Sequence, residues 1–416
     1  MMCVNNHRTV YGIDLGSSYS AIAFVNEDGW AEVVSNVEGD RITASAVFVE
    51  PDEVAGKRSV VVGKVAKELA TTDPDHLIDF VKPHMGDAAW KREIEGITWT
   101  PELASAAILR KLVQGVECCG EKVQDVVIAC PAGFSCAQRQ STITAGNLAG
   151  LNVVGLIGDT TAAALSYSKT FPEKSKTVMV YDLGGSAFEV TVMKINNGSI
   201  EVVCSDGNPH LGGKDWDEAL ARYLAERFSK DNNVPESDLW DDLEISTELR
   251  IGAERTKWVL THRPEAYQTI LYSGINSRVK VTKKTFEILT KPLLYETAAL
   301  TEKMLNVAAE KGVTNIDEFL MVGGSSRMPQ IREMVVARFG SRIGKEPYFY
   351  DDGGTVAKGA AIYGFCNNVR WLAQDRVRGG STGTAELDMV ADARKDLLTP
   401  AQIENAKKMM SNMEVN

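Results

Sequence analysis

A chain of 416 residues, 44% of them hydrophobic, can bury large cores and should divide into two or more domains. Its net charge of -11 argues against nucleic acid as the main partner, since phosphate backbones need a basic surface, but it does not oppose a single small anion held by amides and a cation. No run approaches the roughly 20 apolar residues of a membrane helix, the opening MMCVNNHRTVYG has no apolar leader core, and seven cysteines without a C-x-x-C pair suit reduced thiols, so the expected compartment is the cytoplasm.

In chain order, TVYGIDLGSSYSAIAFV (9–25) reads as apolar strand, acidic residue, glycine turn and second strand. Asp125–Cys130 (DVVIAC) is a short apolar strand, 135–149 a helix, 152–157 a further strand, and 160–167 opens another helix. TVMVYDLGGSAFEVTVM (177–193) then repeats the opening grammar, with Asp182 matching Asp14 168 residues on and DLGGS matching DLGSS. Two copies in register predict two similar halves, each beginning with a β-hairpin. In the second half 215–228, 245–260 and 286–309 carry helical periodicity. Residues 319–322 form a buried strand feeding a glycine turn, 328–339 follow as helix, and 355–365 close the half. The alternation of strands and helices points to α/β layers. Beyond Phe365 the pattern weakens: GGSTGT (379–384) has linker composition, and 385–413 reads as one or two amphipathic helices interrupted by Pro400.

No G-x-x-x-x-G-K-[ST] is present, which excludes the P-loop route to a nucleotide. Four glycine turns stand at strand ends instead: Gly16 with Ser17 and Ser18, Gly184 with Gly185, Gly212 with Gly213, and 323–326. Such turns expose successive N–H groups to phosphate oxygens. One alone would more often be a hairpin or cap; four, two of them led by an aspartate, favour phosphate. Paired carboxylates at Asp14 and Asp182 suit Mg²⁺, which keeps several waters and few protein ligands, although a turn or cap role stays open for either alone. Glu254, Lys257, Trp258 and Thr261 are spaced i, i+3, i+4 and i+7, hence on one helix face.

GIDLGSSYS, DLGGSAFEV, HLGGKDWD (210–217), MVGGSSRMP (321–329) and CPAGFSCAQRQSTITAGNLAGLNVV followed by GDTTAAALSY resemble the DnaK-type heat-shock chaperone family in order and spacing. The resemblance runs from about Val10 to Phe365. It implies an α/β actin-like ATPase fold whose two lobes are each built on a duplicated ribonuclease-H-like β-sheet flanked by helices. The lobes would span 1–174 and 175–375, the second with a nucleoside-binding helical insertion at about 214–311. A linker and short tail would occupy 376–416, too short for a peptide-binding domain; its DLLT (396–399) is similar to that family's interdomain linker but reads better as a helix end.

The same resemblance implies ATP or ADP with Mg²⁺ as cofactors. Gly16, Ser17 and Ser18 would form one phosphate loop and Asp182, Gly184 and Gly185 the other, with Asp14 and Asp182 holding the hydrated metal. Lys82, in LIDFVKPHMG, would position the attacking water and neutralise charge on the γ-phosphate, with Asp159 as the accompanying carboxylate. The Glu254, Lys257, Trp258 and Thr261 face would carry adenosine opposite Gly324, Ser325 and Arg327. Trp258 replaces an arginine there, and either stacks on adenine or is a plain core residue.

Other departures fall where hydrolysis is performed. Asp159 is one methylene shorter than the family's glutamate, Ala187 lacks a threonine hydroxyl, Ser186 replaces a glycine, and Gly353 replaces an aspartate next to Asp352. Pro131 and Arg139 match relay positions toward the peptide-binding domain, or are simply structural. The expected function is a slow ATPase of chaperone type that couples nucleotide state to a protein partner or client, such as a co-chaperone or exchange factor, and acts as a monomer. The alternatives are a nucleotide-gated interaction module with little hydrolysis and, more distantly, a sugar-kinase-like phosphotransferase.

Overall fold

The computed structural model describes residues 9–54, 57–171, 175–196, 199–351, 353–378 and 413–415. Two five-strand paths carry the architecture, and they share one topology. In the first lobe the order is Asn152–Gly158, Asp125–Cys130, Val10–Asp14, Tyr19–Val25, Ala31–Val34. In the second it is Glu318–Val322 and Tyr348–Phe349 on one side of Ser175–Leu183, with Phe188–Asn196 and Ser199–Asn208 on the other. Each central strand pairs antiparallel with the next strand in sequence and parallel with a later one. The repeated hairpins of the sequence are thus the matching centres of two sheets, with Asp14 the last and Asp182 the penultimate residue of their first strands.

Local sequence explains several helix starts. Ser135 caps the Cys136–Leu148 helix in a reciprocal capping box with Gln138, and Thr100 accepts from the Leu103 amide ahead of Pro101–Glu117. Such caps satisfy otherwise orphaned N–H groups and contribute about 1 kcal/mol each. The expected 245–260 helix is Leu243–His262, capped by Asp242, and the expected 286–309 helix is Lys283–Glu310. Each lobe has its own apolar core, one around Trp99 and Ile108, the other around Trp216, Phe228 and Phe319.

Three expectations need correction. The insertion of the second lobe is not wholly helical, because Glu265–Tyr272 and Ile275–Thr282 form a hairpin. Ser273 and Gly274 both have positive φ at its tip, the geometry that tight hairpins require. The helix starting at Thr355 does not stop at Phe365 but runs to Arg378. It also packs mainly on the first lobe's sheet, with Ala357 and Ala361 against Ala21 and Ala23, so it ties the two lobes together. Gly12 permits that crossing, since a Cβ there would lie 2.0 Å from the Ala361 nitrogen. Lastly, Met413–Val415 is a strand, parallel to Lys57–Val62 at the edge of a small first-lobe sheet, whereas 379–412, including 396–399, lies outside the described residues. Among the described residues no helix is long and apolar enough to cross a membrane.

Candidate functional site

The two duplicated turns meet. Ser17 Oγ lies 2.5 Å from Ser186 Oγ across the lobes, and a Cβ on Gly185 would fall 1.9 Å from Ser18 Oγ. Gly185 is therefore required by the approach of the opposite hairpin. Above this contact opens a cavity of about 1910 Å³ lined by both lobes. Its walls include Asp14, Gly16, Ser17, Ser18, Lys82, Asp159, Asp182, Gly184 and Gly185 at one end. Glu254, Lys257, Trp258, Thr261, Gly324, Ser325 and Arg327 line the other.

Gly212 is the exception. It does not line the cavity but begins the Gly213–Asn232 helix and packs behind the phosphate-loop candidate, where a Cβ would lie 2.5 Å from the Ser186 backbone. Gly213 does line it, and its amide donates to the Gly184 carbonyl at 2.9 Å. Gly323, with φ +81, brings its turn against Asp182, and a Cβ there would sit 2.4 Å from Oδ1.

The electrostatics at the floor are unusual. Lys82 Nζ donates to Asp159 Oδ2 at 3.1 Å. Burial works against the Lys82 charge, yet Asp159 and Asp14 outweigh it and hold the ammonium above its ordinary range. Burial raises Asp14 to about 7 although Lys82 pulls the other way. Asp182 is pushed well above the carboxylate range by burial and then by Asp159 and Glu189. Asp159 Oδ1 is buried without a hydrogen-bond partner. A crowd of desolvated carboxylates facing one lysine lacks positive charge, and a hydrated divalent cation fits that deficit. Among the described residues no three His, Cys, Asp or Glu side chains converge to ligate an ion directly, so Asp14 and Asp182 would hold Mg²⁺ largely through its waters.

Glu189 belongs to this cluster and was missed. Burial and Asp159 raise it to about 7, opposed by donors at the Ala132 amide and the Ser205 hydroxyl. Its signal was present in the hairpin register, since Glu189 lies directly opposite Asp182, whereas Ala21 lies opposite Asp14 in the first copy. Two residues of the cavity lining were also missed. Lys67, from the first lobe, reaches Glu254 of the second at 2.8 Å, and Tyr19 Oη stands 3.4 Å from the same carboxylate. Burial opposes the Glu254 charge, but Lys67, joined by Lys257 and the Tyr19 hydroxyl, outweighs it and lowers its pKa. Glu254 thus spans the lobes as well as lining the cavity.

On the nucleoside side, Trp258 is 68% exposed and turned edge-on to His262, which removes the core reading. Lys257 is bound to Asp217 at 2.7 Å and to the Gly213 carbonyl at 3.0 Å, so it also pins the Gly213 turn. Arg327 lies over the Phe349 ring and donates to the Asp351 carbonyl. Thr261 bonds back to the Lys257 carbonyl. Gly353 lines the cavity beside Asp351; Asp352 lies outside the described residues. Arg139 is no plain surface residue, because its guanidinium donates to the Phe134 and Ala132 carbonyls and fixes the loop after Pro131.

Known proteins share this arrangement at the level of sequence. The family described as Hsp70 protein matches residues 10–95 and 87–368. The chain is 37% identical over 362 residues to the chaperone protein DnaK of Thermotoga neapolitana and to that of Thermotoga maritima, covering 85% of this chain and 58% of each relative. Against the chaperone protein DnaK of Thermosipho africanus the identity is 38% over 368 residues, covering 86% and 59%. The chain therefore spans under two thirds of the length of these curated relatives. The matched stretches contain both sheets, both aspartate-led turns and the lysine facing them, and a match of that extent places the chain in the Hsp70 family, with its actin-like ATPase fold.

Proposed function

We propose that the chain binds Mg-ATP between its lobes, hydrolyses it slowly to ADP, and passes lobe closure to a protein partner or client in the cytosol, as a monomer. The observation that carries this reading is the meeting of the two aspartate-led turns opposite the Lys82–Asp159 pair. The turn amides would bind phosphate oxygens and Trp258 would stack on the base. Asp14 and Asp182 would hold Mg²⁺, which supplies neutralising charge to the phosphates. Lys82 would orient a water, and Glu189, at about 7, is suited to accept its proton near neutral pH.

A second reading, nucleotide-gated interaction with little hydrolysis, is supported by Ala187, which offers the cavity no hydroxyl, and by the Ser17–Ser186 contact, which a phosphate must part. The sugar-kinase reading is weaker, because Asp159 Oδ2 accepts from Lys82 and its other oxygen, Oδ1, is buried away from a substrate hydroxyl.

Calorimetry with Mg-ATP and Mg-ADP tests binding directly, and quenching of Trp258 should accompany it. Trp258→Ala should weaken both nucleotides by roughly 1–3 kcal/mol, the usual worth of a base–aromatic stack. No heat and no shift in thermal melts would remove the proposal. Lys67→Ala should speed release of bound nucleotide about fivefold, since a partly exposed ion pair contributes up to ~1 kcal/mol, and added salt should act the same way in the wild type. Stopped-flow off-rates that do not move would show that the pair does not latch the lobes.

A further inference from the structure

The turn that carries Lys82 is held from outside. It begins after Phe80, which has φ 48, a left-handed conformation that a bulky side chain adopts only where its surroundings force it. It ends at Gly86, φ +78, pressed so closely on the Cys136–Leu148 helix that a Cβ would lie 3.0 Å from the Gln138 nitrogen. The Gly86 amide donates to Ser141 Oγ at 3.1 Å, and the Ser141 hydroxyl donates in turn to Glu102. Ser141 is 1% exposed and Glu102 8%. Glu102 sits in the first turn of the Pro101–Glu117 helix, where the helix N-terminus favours a carboxylate.

We infer that Ser141 and Glu102 position Lys82, by clamping Gly86 at the far end of its turn; the inference rests on the nucleotide reading above. Neither side chain lines the cavity, so they act only through the turn. Burying a carboxylate is costly unless it is hydrogen-bonded, and this one receives the hydroxyl that in turn receives the turn's amide. The chain of bonds links three segments: the Lys82 turn, the start of one helix and the middle of another. The second helix also carries Arg139, whose guanidinium holds the loop after Pro131, which lines the same cavity as Lys82. One helix thereby holds two segments of the cavity wall, the Lys82 turn and the loop after Pro131. With the hydroxyl gone, the far end of the turn loses its tie to both helices, the strain at Phe80 can relax, and Lys82 drifts from its place facing Asp159. A shift of about 1 Å at a reacting centre can cost on the order of a hundredfold.

The test compares affinity for Mg-ATP with that for Mg-ADP, because in the nucleotide reading Lys82 would meet only the γ-phosphate. Ser141→Ala and Glu102→Ala should lower the ATP-to-ADP affinity ratio, and any turnover, at least tenfold, with ADP affinity unchanged and the Gly86 amide exchanging faster with deuterium. Glu102→Gln keeps an acceptor oxygen and should restore most of the ratio. Should Ser141→Ala fold poorly, Ser141→Cys keeps the volume but donates weakly, and should fall between wild type and Glu102→Ala. A ratio within twofold of wild type in the variants, or equal losses of ATP and ADP affinity, would overturn the inference while leaving nucleotide binding intact. Wild-type protein that binds neither nucleotide would overturn both readings together.

Discussion

Lys82→Ala should abolish ATP turnover while leaving ADP bound as tightly as before. The expected loss is on the order of 10²–10³-fold, the cost of removing one charge-stabilising donor from a phosphoryl or acyl transfer site. Lys82 is placed for that role by Asp159 at 3.1 Å and by the charge of Asp14, which together keep it protonated against its burial. Its removal also leaves Asp159 and Asp14 without their cation, so the empty variant should melt lower than wild type at neutral pH. Single-turnover hydrolysis of radiolabelled ATP decides the matter. Equal, background rates in the two proteins would end the ATPase reading and leave a nucleotide-gated module.

The second large effect runs in opposite directions for function and stability. Asp182→Asn should weaken Mg-dependent ATP binding by 100-fold or more, yet raise the melting temperature of the empty protein. Burial, with Asp159 and Glu189 adding to it, holds Asp182 well above the ordinary carboxylate range, and Asp14 and Glu189 each sit at about 7. Groups whose folded pKa is raised contribute stability below their unfolded value, near 4, and that contribution is lost as pH climbs through about 7. The empty wild type should therefore melt lower at pH 8 than at pH 5.5, and Asp182→Asn should shrink the difference. Saturating Mg-ADP should also shrink it in the wild type, because a bound cation offsets the crowded charge. Melting temperatures that are flat across this window in the empty wild type would refute the electrostatic account of the cluster.

The signals that could be read from the chain were short in range. The duplicated hairpins at Asp14 and Asp182, the strand Asp125–Cys130, the capped helix after Ser135 and the apolar stripe of Leu243–His262 all rest on residues a few positions apart. Turn chemistry and periodicity act over that distance, so the linear pattern determined two like halves and the aspartates at the close of their first strands. The Glu265–Tyr272 hairpin was legible too, in its alternation and its Ser273–Gly274 tip, but was absorbed into a helical expectation.

Other features exist only because distant segments meet. Ser17 and Ser186 are 169 residues apart, and Lys67 and Glu254 are 187 apart. No local preference distinguishes such a serine or lysine from a surface residue. The Ser141–Glu102 bond and the packing of the last long helix on the first sheet are of the same kind. Gly212 shows the converse, since a phosphate-loop pattern proved to be a close backbone crossing behind Ser186. The sequence by itself determined which elements form and where the charged turns lie. Tertiary structure alone decided which turns face one another, what burial does to their carboxylates, and which side chains brace Lys82, because desolvation and contact depend on how whole lobes close.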